Sequence, residues 1–133
     1  MQTEFPYQRE ESGIFGTICR PVVGYEVKTR YGWVPVMAYL DSGADITLLP
    51  KSFIDLLDIE FKEEDIKEIG GVGGSKVPIV LADVKLMVCG KEIEVTAAIC
   101  LVKNIPYLLG IEGIFDHFNI CFKKNRIICF EEC

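Results

Sequence analysis

The stretch from residue 82 to 102, "ADVKLMVCGKEIEVTAAICLV", constrains the fold more than any other part of the chain. Apolar and polar residues alternate on both sides of Cys89-Gly90-Lys91, which is typical of two antiparallel strands joined by a tight turn. Short apolar runs separated by glycine, proline and charged residues recur along most of the sequence. Many short strands with only one or two short helices predict an all-β, closed barrel-like domain.

The other segments agree with this architecture. The further strands predicted are residues 14–27 and 33–40, an exposed strand or loop in 60–68, and a final hairpin around 123–126. Two short helices are predicted, one in residues 50–57 and an amphipathic one that carries Ile111, Ile114, Phe115 and Phe118.

A chain of 133 residues suits a single domain. We expect residues 14–133 to form it. Residues 1–13 are polar and mixed in charge, and are expected to be an N-terminal segment that is either frayed or removed as a propiece. They have the pattern of neither a signal peptide nor a transit peptide, and no apolar run approaches the roughly 18 residues of a membrane span.

The chain is acidic, with a net charge of -6 and a pI of about 4.8. Nucleic acids and anionic membrane surfaces attract basic patches. The charge therefore argues against nucleic acid and against a membrane as partners.

Six cysteines are spread along the chain without a CxxC spacing, and there is one histidine. We therefore expect no metal and no other cofactor. Four of the cysteines lie in apolar strand-like runs, where cysteine acts as a small hydrophobe: Cys19, Cys89, Cys100 and Cys129. Free thiols in a reducing cytoplasm are favoured over a disulfide framework, with Cys133 the most exposed.

One motif places a carboxylate between two apolar runs, in "AYLDSGADITLLP" from Ala38 to Pro50. Asp, Ser and Gly are common turn residues, so Asp41-Ser42-Gly43 taken alone is an ordinary turn. Its setting favours a function, because an aspartate between two apolar strands loses hydration and needs partners or a chemical role.

Two further motifs carry less information singly. The segment Gly70-Gly71-Val72-Gly73-Gly74 is either a plain turn or a mobile hairpin tip whose backbone can approach a ligand. Phosphate binding is poorly supported there, because no GK[ST] follows. The segment Leu108-Leu109-Gly110 by itself is core sequence before a helix.

In their order and spacing, "LDSGADITLL", "IGGVGG" and "YLLG" resemble the retroviral-type (retropepsin-like) aspartic proteases, over about residues 14 to 130. The predicted helix at 50–57 and the terminal hairpin look more like cellular and prokaryotic members than viral ones. The resemblance implies the acid-protease fold, a homodimer, and an aspartic endopeptidase that cleaves extended peptide or protein segments. Two Asp41 carboxylates, one from each chain, would activate a water molecule between them.

The resemblance also assigns roles to individual residues. Ser42 and Gly43 would support Asp41. The substrate would contact Gly43, Ala44, Asp45, Leu48, Gly71, Val72, Gly73, Ile105, Pro106 and Leu108. Within this set, Asp45 would hold backbone N–H groups of the peptide, and the Val72 amide would reach the peptide through a water.

One position departs from the family pattern. After the glycine of the third motif the family usually carries an arginine, which braces the second aspartate of D-[ST]-G-A-D. Ile111 and then Glu112 stand there in this chain. Asp45 is therefore expected to lack its usual cationic partner, while Asp41 is not affected.

Two other functions stay open from the sequence. The main alternative is a retropepsin-like dimer that binds peptides or assembles a complex without cutting, and the missing arginine favours it. A small-molecule-binding β-barrel would not need an aspartate at a strand end. The intact Asp41-Ser42-Gly43 favours the protease over both.

Overall fold

The computed structural model describes residues 2–70 and 74–132. Strands dominate this part of the chain, so the predicted all-β class is confirmed. In chain order the strands are β1 (Gln2–Pro6), β2 (Gln8–Ser12), β3 (Gly16–Arg20), β4 (Val22–Thr29), β5 (Gly32–Leu40), β6 (Leu48–Leu49), β7 (Lys67–Gly70), β8 (Lys76–Val88), β9 (Lys91–Cys100), β10 (Leu108–Leu109), β11 (Phe118–Lys123) and β12 (Ile127–Glu132). One short α-helix, α1 (Phe53–Leu56), and one 3-10 turn (Glu63–Asp65) accompany them.

The main sheet is a ring of strands. Its order is β4-β5-β10-β6-β9-β8-β7, and an additional antiparallel pairing of β4 with β8 brings its two sides together. That pairing joins Glu26 to Met87 and Val27 to Leu86. Within residues 2–70 and 74–132, β7 lies at the edge of the sheet and pairs only with β8.

The hairpin of β8 and β9 confirms the turn predicted at residues 89–91. The two strands pair from Ile79↔Cys100 to Val88↔Lys91. Cys89 and Gly90 connect them with φ angles of 51° and 78°. Positive φ at both connecting residues matches the right-handed twist of the flanking strands, as in type I′ turns.

The core of the ring also anchors its two shortest strands. Leu49 in β6 and Leu109 in β10 are completely buried, together with Leu86 and Ile99 of the long hairpin. Burying a side chain of this size stabilises a fold by about 1.5–3 kcal/mol. β6 and β10 have only two residues each, so this burial is what fixes their positions.

A second sheet joins the two ends of the chain, in the order β1-β12-β11. Phe130 packs edge-on against Phe5 and Phe118, with ring centroids 5.5 Å and 5.4 Å apart. Such aromatic pairs add about 0.5–1.5 kcal/mol each beyond the area they bury. The hairpin of β11 and β12 confirms the one predicted around residues 123–126.

The N-terminal segment is ordered into strands. β1 pairs with β12, and β2 pairs with β3 in a separate two-stranded hairpin. Residues 2–12 are therefore not frayed, whereas removal of this segment as a propiece stays a prediction. The strand predicted in residues 14–27 is divided at Pro21 between β3 and β4.

The two predicted helices differ from the structure. The first is shorter than expected, since α1 spans only Phe53–Leu56. The second, around residues 111–118, is wrong, because the chain forms a turn there and Phe118 already begins β11. Gly113 interrupts the helix with a φ of 77°, and a Cβ there would collide with the side chain of Val95. The apolar spacing reflects burial of Ile114 and Phe118 rather than a helical face.

Five cysteines lie in the described part of the chain, and all five are free thiols. Cys100 and Cys129 are buried, Cys19 and Cys89 are partly buried, and Cys121 is exposed. Burial raises the pKa of the Cys89 thiol. Cys133, which was expected to be the most exposed, lies outside the described residues.

Candidate active site

Asp41 follows directly after the last residue of β5 and is partly buried. Its carboxylate Oδ1 accepts a hydrogen bond of 2.8 Å from the Gly43 N–H, and its backbone carbonyl accepts one of 3.1 Å from Ala44. An aspartate that bonds the backbone two residues later fixes a tight turn. The side chain is thereby oriented by its own loop, and Ser42 is exposed at the tip.

Strand β10 holds this loop from its place between β5 and β6 in the main sheet. β10 lies between β5 and β6, parallel to the first and antiparallel to the second. The Asp41 N–H donates to the Leu109 carbonyl at 3.1 Å, just beyond the end of the pairing. Residues 41–47 therefore cross the end of β10 on their way from β5 to β6.

Gly110 and Thr47 form a buried contact beneath the loop. The Gly110 N–H donates to the Thr47 hydroxyl at 3.1 Å, and Thr47 is completely buried. A Cβ at Gly110 would lie 2.5 Å from the backbone carbon of Ile46 and 2.9 Å from the Ala44 oxygen. Only glycine allows the two segments to approach so closely.

Thr47 is a residue that sequence reasoning missed. Threonine is polar, and its place in the apolar run "ITLLP" was the one available signal. A polar side chain inside an apolar strand needs a partner when it is buried, which would have pointed to a structural hydrogen bond. Gly110 was recognised as part of a motif but received no role of its own.

Asp45 is held by its backbone rather than by its side chain. The Glu112 N–H donates to the Asp45 carbonyl at 2.9 Å, and the Ile111 N–H donates to Ala44 at the same distance. The exposed Asp45 carboxylate forms no ion pair within residues 2–70 and 74–132.

A cleft of about 640 Å³ opens beside this loop. It is lined by Asp41, Gly43, Ala44, Asp45, Ile46, Leu48, Ile69, Gly70 and Leu108. Six of the predicted site residues therefore meet in one cleft, and Ile69 and Gly70 of β7 form a wall that was not predicted. Two carboxylates among largely apolar walls suit an extended peptide with apolar side chains.

The other predicted contact residues lie elsewhere or outside the described residues. Ile105 and Pro106 border a different cleft of about 400 Å³, next to Tyr39, although Ile105 packs on the same apolar cluster as Leu48 and Leu108. The predicted contact residues Gly71, Val72 and Gly73 fall between the two described ranges. β7 and β8, which flank them, pair antiparallel from Lys67↔Ile79 to Gly70↔Lys76.

A polar cluster fixes the β2–β3 hairpin at the end of β5. The Tyr39 hydroxyl donates to Glu10 at 2.6 Å, and Arg20 lies 5.5 Å from the Tyr39 ring and 3.9 Å from the Glu10 carboxylate. The hydrogen bond to Glu10 raises the pKa of the Tyr39 hydroxyl. Tyr39 is two residues before Asp41, so this cluster holds the hairpin close to the site.

Comparisons with known proteins give the class of this architecture. No protein-family model matches the sequence, and no curated protein matches it either. Solved structures do match: the fold is that of the retropepsin-like aspartic proteases, as the sequence predicted.

Two of these solved structures illustrate the match. EIAV protease, solved in complex with the inhibitor HBY-793, is 24% identical, with a TM-score of 0.53 over 68% of this chain and 81% of its own. A retropepsin-like aspartic protease from Rickettsia conorii is 18% identical, with a TM-score of 0.58 over 98% of this chain and 91% of its own. At these identities the likeness establishes the fold.

Neither a metal centre nor a membrane span is found in the described part of the chain. No group of three or more His, Cys, Asp or Glu side chains within residues 2–70 and 74–132 is arranged to hold a metal ion. Over the same residues, no helix has the length and apolar character needed to cross a bilayer.

Proposed function

We propose that this chain is an aspartic endopeptidase that acts as a homodimer. The observation that carries the proposal is the position of Asp41, which stands at the end of β5 in a turn fixed by its own backbone, at the wall of a peptide-sized cleft. Asp41 is also the only aspartate of the chain in a D-[ST]-G sequence. One chain thus supplies half of a two-carboxylate site.

In the proposed mechanism, the second carboxylate is Asp41 of the partner subunit, related by a two-fold axis. The ionised carboxylate accepts a proton from a water molecule, whose oxygen attacks the carbonyl carbon of the peptide bond. The protonated carboxyl donates its proton to the carbonyl oxygen, giving a neutral tetrahedral diol. As the C–N bond breaks, one carboxyl protonates the leaving nitrogen and the other receives a proton from the diol.

The proposed substrate is an extended polypeptide segment. Ile69, Leu48 and Leu108 give the cleft apolar walls, which suits apolar side chains on both sides of the cleaved bond. β7 ends at the cleft with Gly70, where a peptide could add to the strand edge by backbone hydrogen bonds. Ser42 would brace the carboxylate pair, and the Val72 amide would bind the peptide through a water.

The cellular compartment, the partners and the domain bounds belong to the same proposal. Five free thiols in the described residues suit a reducing compartment such as the cytoplasm. The net charge of -6 argues against nucleic acid as a partner. Residues 14–133 would form the protease domain and residues 1–13 an N-terminal segment.

One observation favours a second function, a dimeric module that binds peptides without cutting them. The Asp45 carboxylate lacks a cationic partner among the described residues, and Ile111 occupies the place where the family carries an arginine. A less firmly held Asp45 would weaken the grip on the peptide backbone. A change in how Asp45 is held would leave the Asp41 turn unchanged, which is why we favour the protease.

The test is to replace Asp41 by asparagine and measure cleavage of casein and of a mixed peptide library. Asparagine fits the same turn but cannot exchange a proton, so we expect a loss of about 10³-fold or more in kcat/KM. Circular dichroism and the dimer mass should match the wild type. Asp116→Asn, at an exposed aspartate outside the cleft, is the matched control.

Two outcomes would count against the proposal. Wild-type turnover by purified Asp41→Asn would exclude the mechanism. A wild-type protein that binds library peptides but leaves them intact would establish the binding module instead.

A further inference from the structure

A third cavity, of about 580 Å³, lies beside the proposed active-site cleft. It is lined mainly by the loop that follows β9 and by the residues after β6. Its apolar floor includes Cys100, Val102, Ile105 and Tyr107. Lys51 and Lys103 stand at its rim, both exposed, with Ser52 and Asn104 as neutral polar neighbours.

The charge of this cavity is opposite to that of the chain. The chain carries a net charge of -6, and four other clefts of the described structure are each lined by at least one carboxylate, from Glu10, Asp41, Glu60 or Glu26. Two lysines and no carboxylate line this one. It is therefore a local positive site on an acidic protein.

Neither lysine is neutralised by the rest of the described structure. The ion pairs formed within residues 2–70 and 74–132 use Arg20, Arg30, Lys91 and Lys123. Lys51 and Lys103 form none. A carboxylate bound at this rim would meet two positive charges and could accept hydrogen bonds from their ammonium groups.

The cavity and the active-site cleft share one apolar floor. Leu48 and Leu108 line the cleft, and Cys100 and Ile105 line the cavity. All four belong to one apolar cluster around Ile79 and Ala98. Pro50, directly after β6, lines the cavity only two residues after Leu48, which in extended chain is about 7 Å.

We propose that this cavity binds an acidic side chain of the polypeptide that lies in the Asp41 cleft. The inference rests on the proposed function and adds a substrate preference to it. A glutamate suits the cavity because its methylene groups would cover Ile105 and Tyr107 while its carboxylate meets the two lysines. Given the short distance between Leu48 and Pro50, the acidic residue lies a few positions from the cleaved bond.

The experiment uses a peptide that the wild-type dimer cleaves and places glutamate at each position in turn. Each glutamate peptide is compared with the glutamine peptide of the same shape. We expect one position at which glutamate raises kcat/KM about three- to tenfold, mainly through a lower KM, as two partly exposed ion pairs allow. The preference should shrink as salt is raised.

Variants then assign the preference to the cavity. Lys51→Gln combined with Lys103→Gln should abolish it, so that the glutamate and glutamine peptides are cleaved with equal kcat/KM. Lys103→Glu should favour lysine over glutamate at the same peptide position. Lys85→Gln combined with Lys124→Gln removes the same charge from two exposed lysines outside the cavity, and should keep the preference.

The outcomes separate this proposal from the proposed function. Two results would overturn the lysine-lined pocket and leave the protease proposal intact. One is cleavage of the glutamine peptides with no position favouring glutamate. The other is a preference for glutamate that survives Lys51→Gln/Lys103→Gln. If the wild type cleaves no peptide, the protease proposal fails and the same peptides are scored by fluorescence polarisation. Glutamate peptides must then bind more tightly than glutamine peptides, and equal affinities would reject the pocket.

Discussion

Two loops of equal length meet at the proposed site, and they are held in opposite ways. The aspartate loop, residues 41–47, leads from β5 to the two-residue strand β6. The lysine loop, residues 101–107, leads from β9 to the two-residue strand β10. The two short strands then pair with each other through Leu48 and Leu108.

The aspartate loop is fixed along its length by hydrogen bonds. Its backbone bonds to β10, to β9 and to the turn at residues 111–112, and its Thr47 hydroxyl is buried against Gly110. The lysine loop is bonded at its two ends, through Leu101 and Tyr107. Residues 103–106 form no backbone hydrogen bond to the described structure, and Lys103, Asn104 and Pro106 are exposed.

Under the two proposals made above, the aspartate loop would carry the catalytic chemistry and the lysine loop would select the substrate. A carboxylate pair that shares a proton must be placed to within a fraction of an ångström, so it needs a rigid support. A pocket that recognises one side chain tolerates a mobile wall and can change without loss of the fold. The comparison predicts that substitutions in the aspartate loop and under it cost stability, whereas those in the lysine loop change substrate preference.

The largest effect on stability is expected for Gly110→Ala. The added methyl would collide with the backbone of Ile46 and Ala44 rather than with a flexible side chain, so the loop must move. We expect a loss of about 3 kcal/mol in the free energy of unfolding, measured by urea denaturation. Gly13→Ala, at a glycine with no atom within 4 Å of the added Cβ and no left-handed φ, separates this collision from the loss of a glycine as such, and an equal cost at both positions would contradict the account.

A smaller loss is expected for Thr47→Val. Valine keeps the shape but leaves the buried Gly110 N–H without an acceptor, which costs about 2 kcal/mol. Thr47→Ser keeps the hydroxyl and should retain more of the stability and activity. If valine were as stable as threonine, the hydroxyl would have no part in holding the loop.

The lysine loop should respond less. Asn104 has a φ of 64°, a conformation that alanine adopts at a cost of about 1 kcal/mol or slightly more. Asn104→Ala should lower the free energy of unfolding by about that amount, and Lys103→Gln by less than about 0.5 kcal/mol, as is usual on a surface. Losses as large as that of Gly110→Ala would show that this loop is as tightly constrained as the aspartate loop.

The sequence predicted those features of the fold and of the candidate site that are determined by residues adjacent in the chain. The hairpin at Cys89-Gly90 and the aspartate at the end of β5 follow from local alternation and turn residues. The bond between Thr47 and Gly110 joins positions 63 residues apart, and no local pattern reports such a contact. The false helix around 111–118 has the same origin, because the apolar spacing there did not reveal that Gly113 has a left-handed φ and leaves no room for a Cβ beside Val95.

The most direct test of the central claim, that one chain supplies half a site, mixes wild type with Asp41→Ala under conditions that let subunits exchange. With random pairing of equal amounts, about a quarter of the dimers carry Asp41 on both sides. Heterodimers keep one carboxylate and should be inactive. Mixing wild type with Asp116→Asn, which should be fully active, controls for the exchange itself. We predict that activity per total chain falls to about a quarter of the wild-type value, whereas a fall to only a half would mean that each chain carries a complete site and would contradict the account.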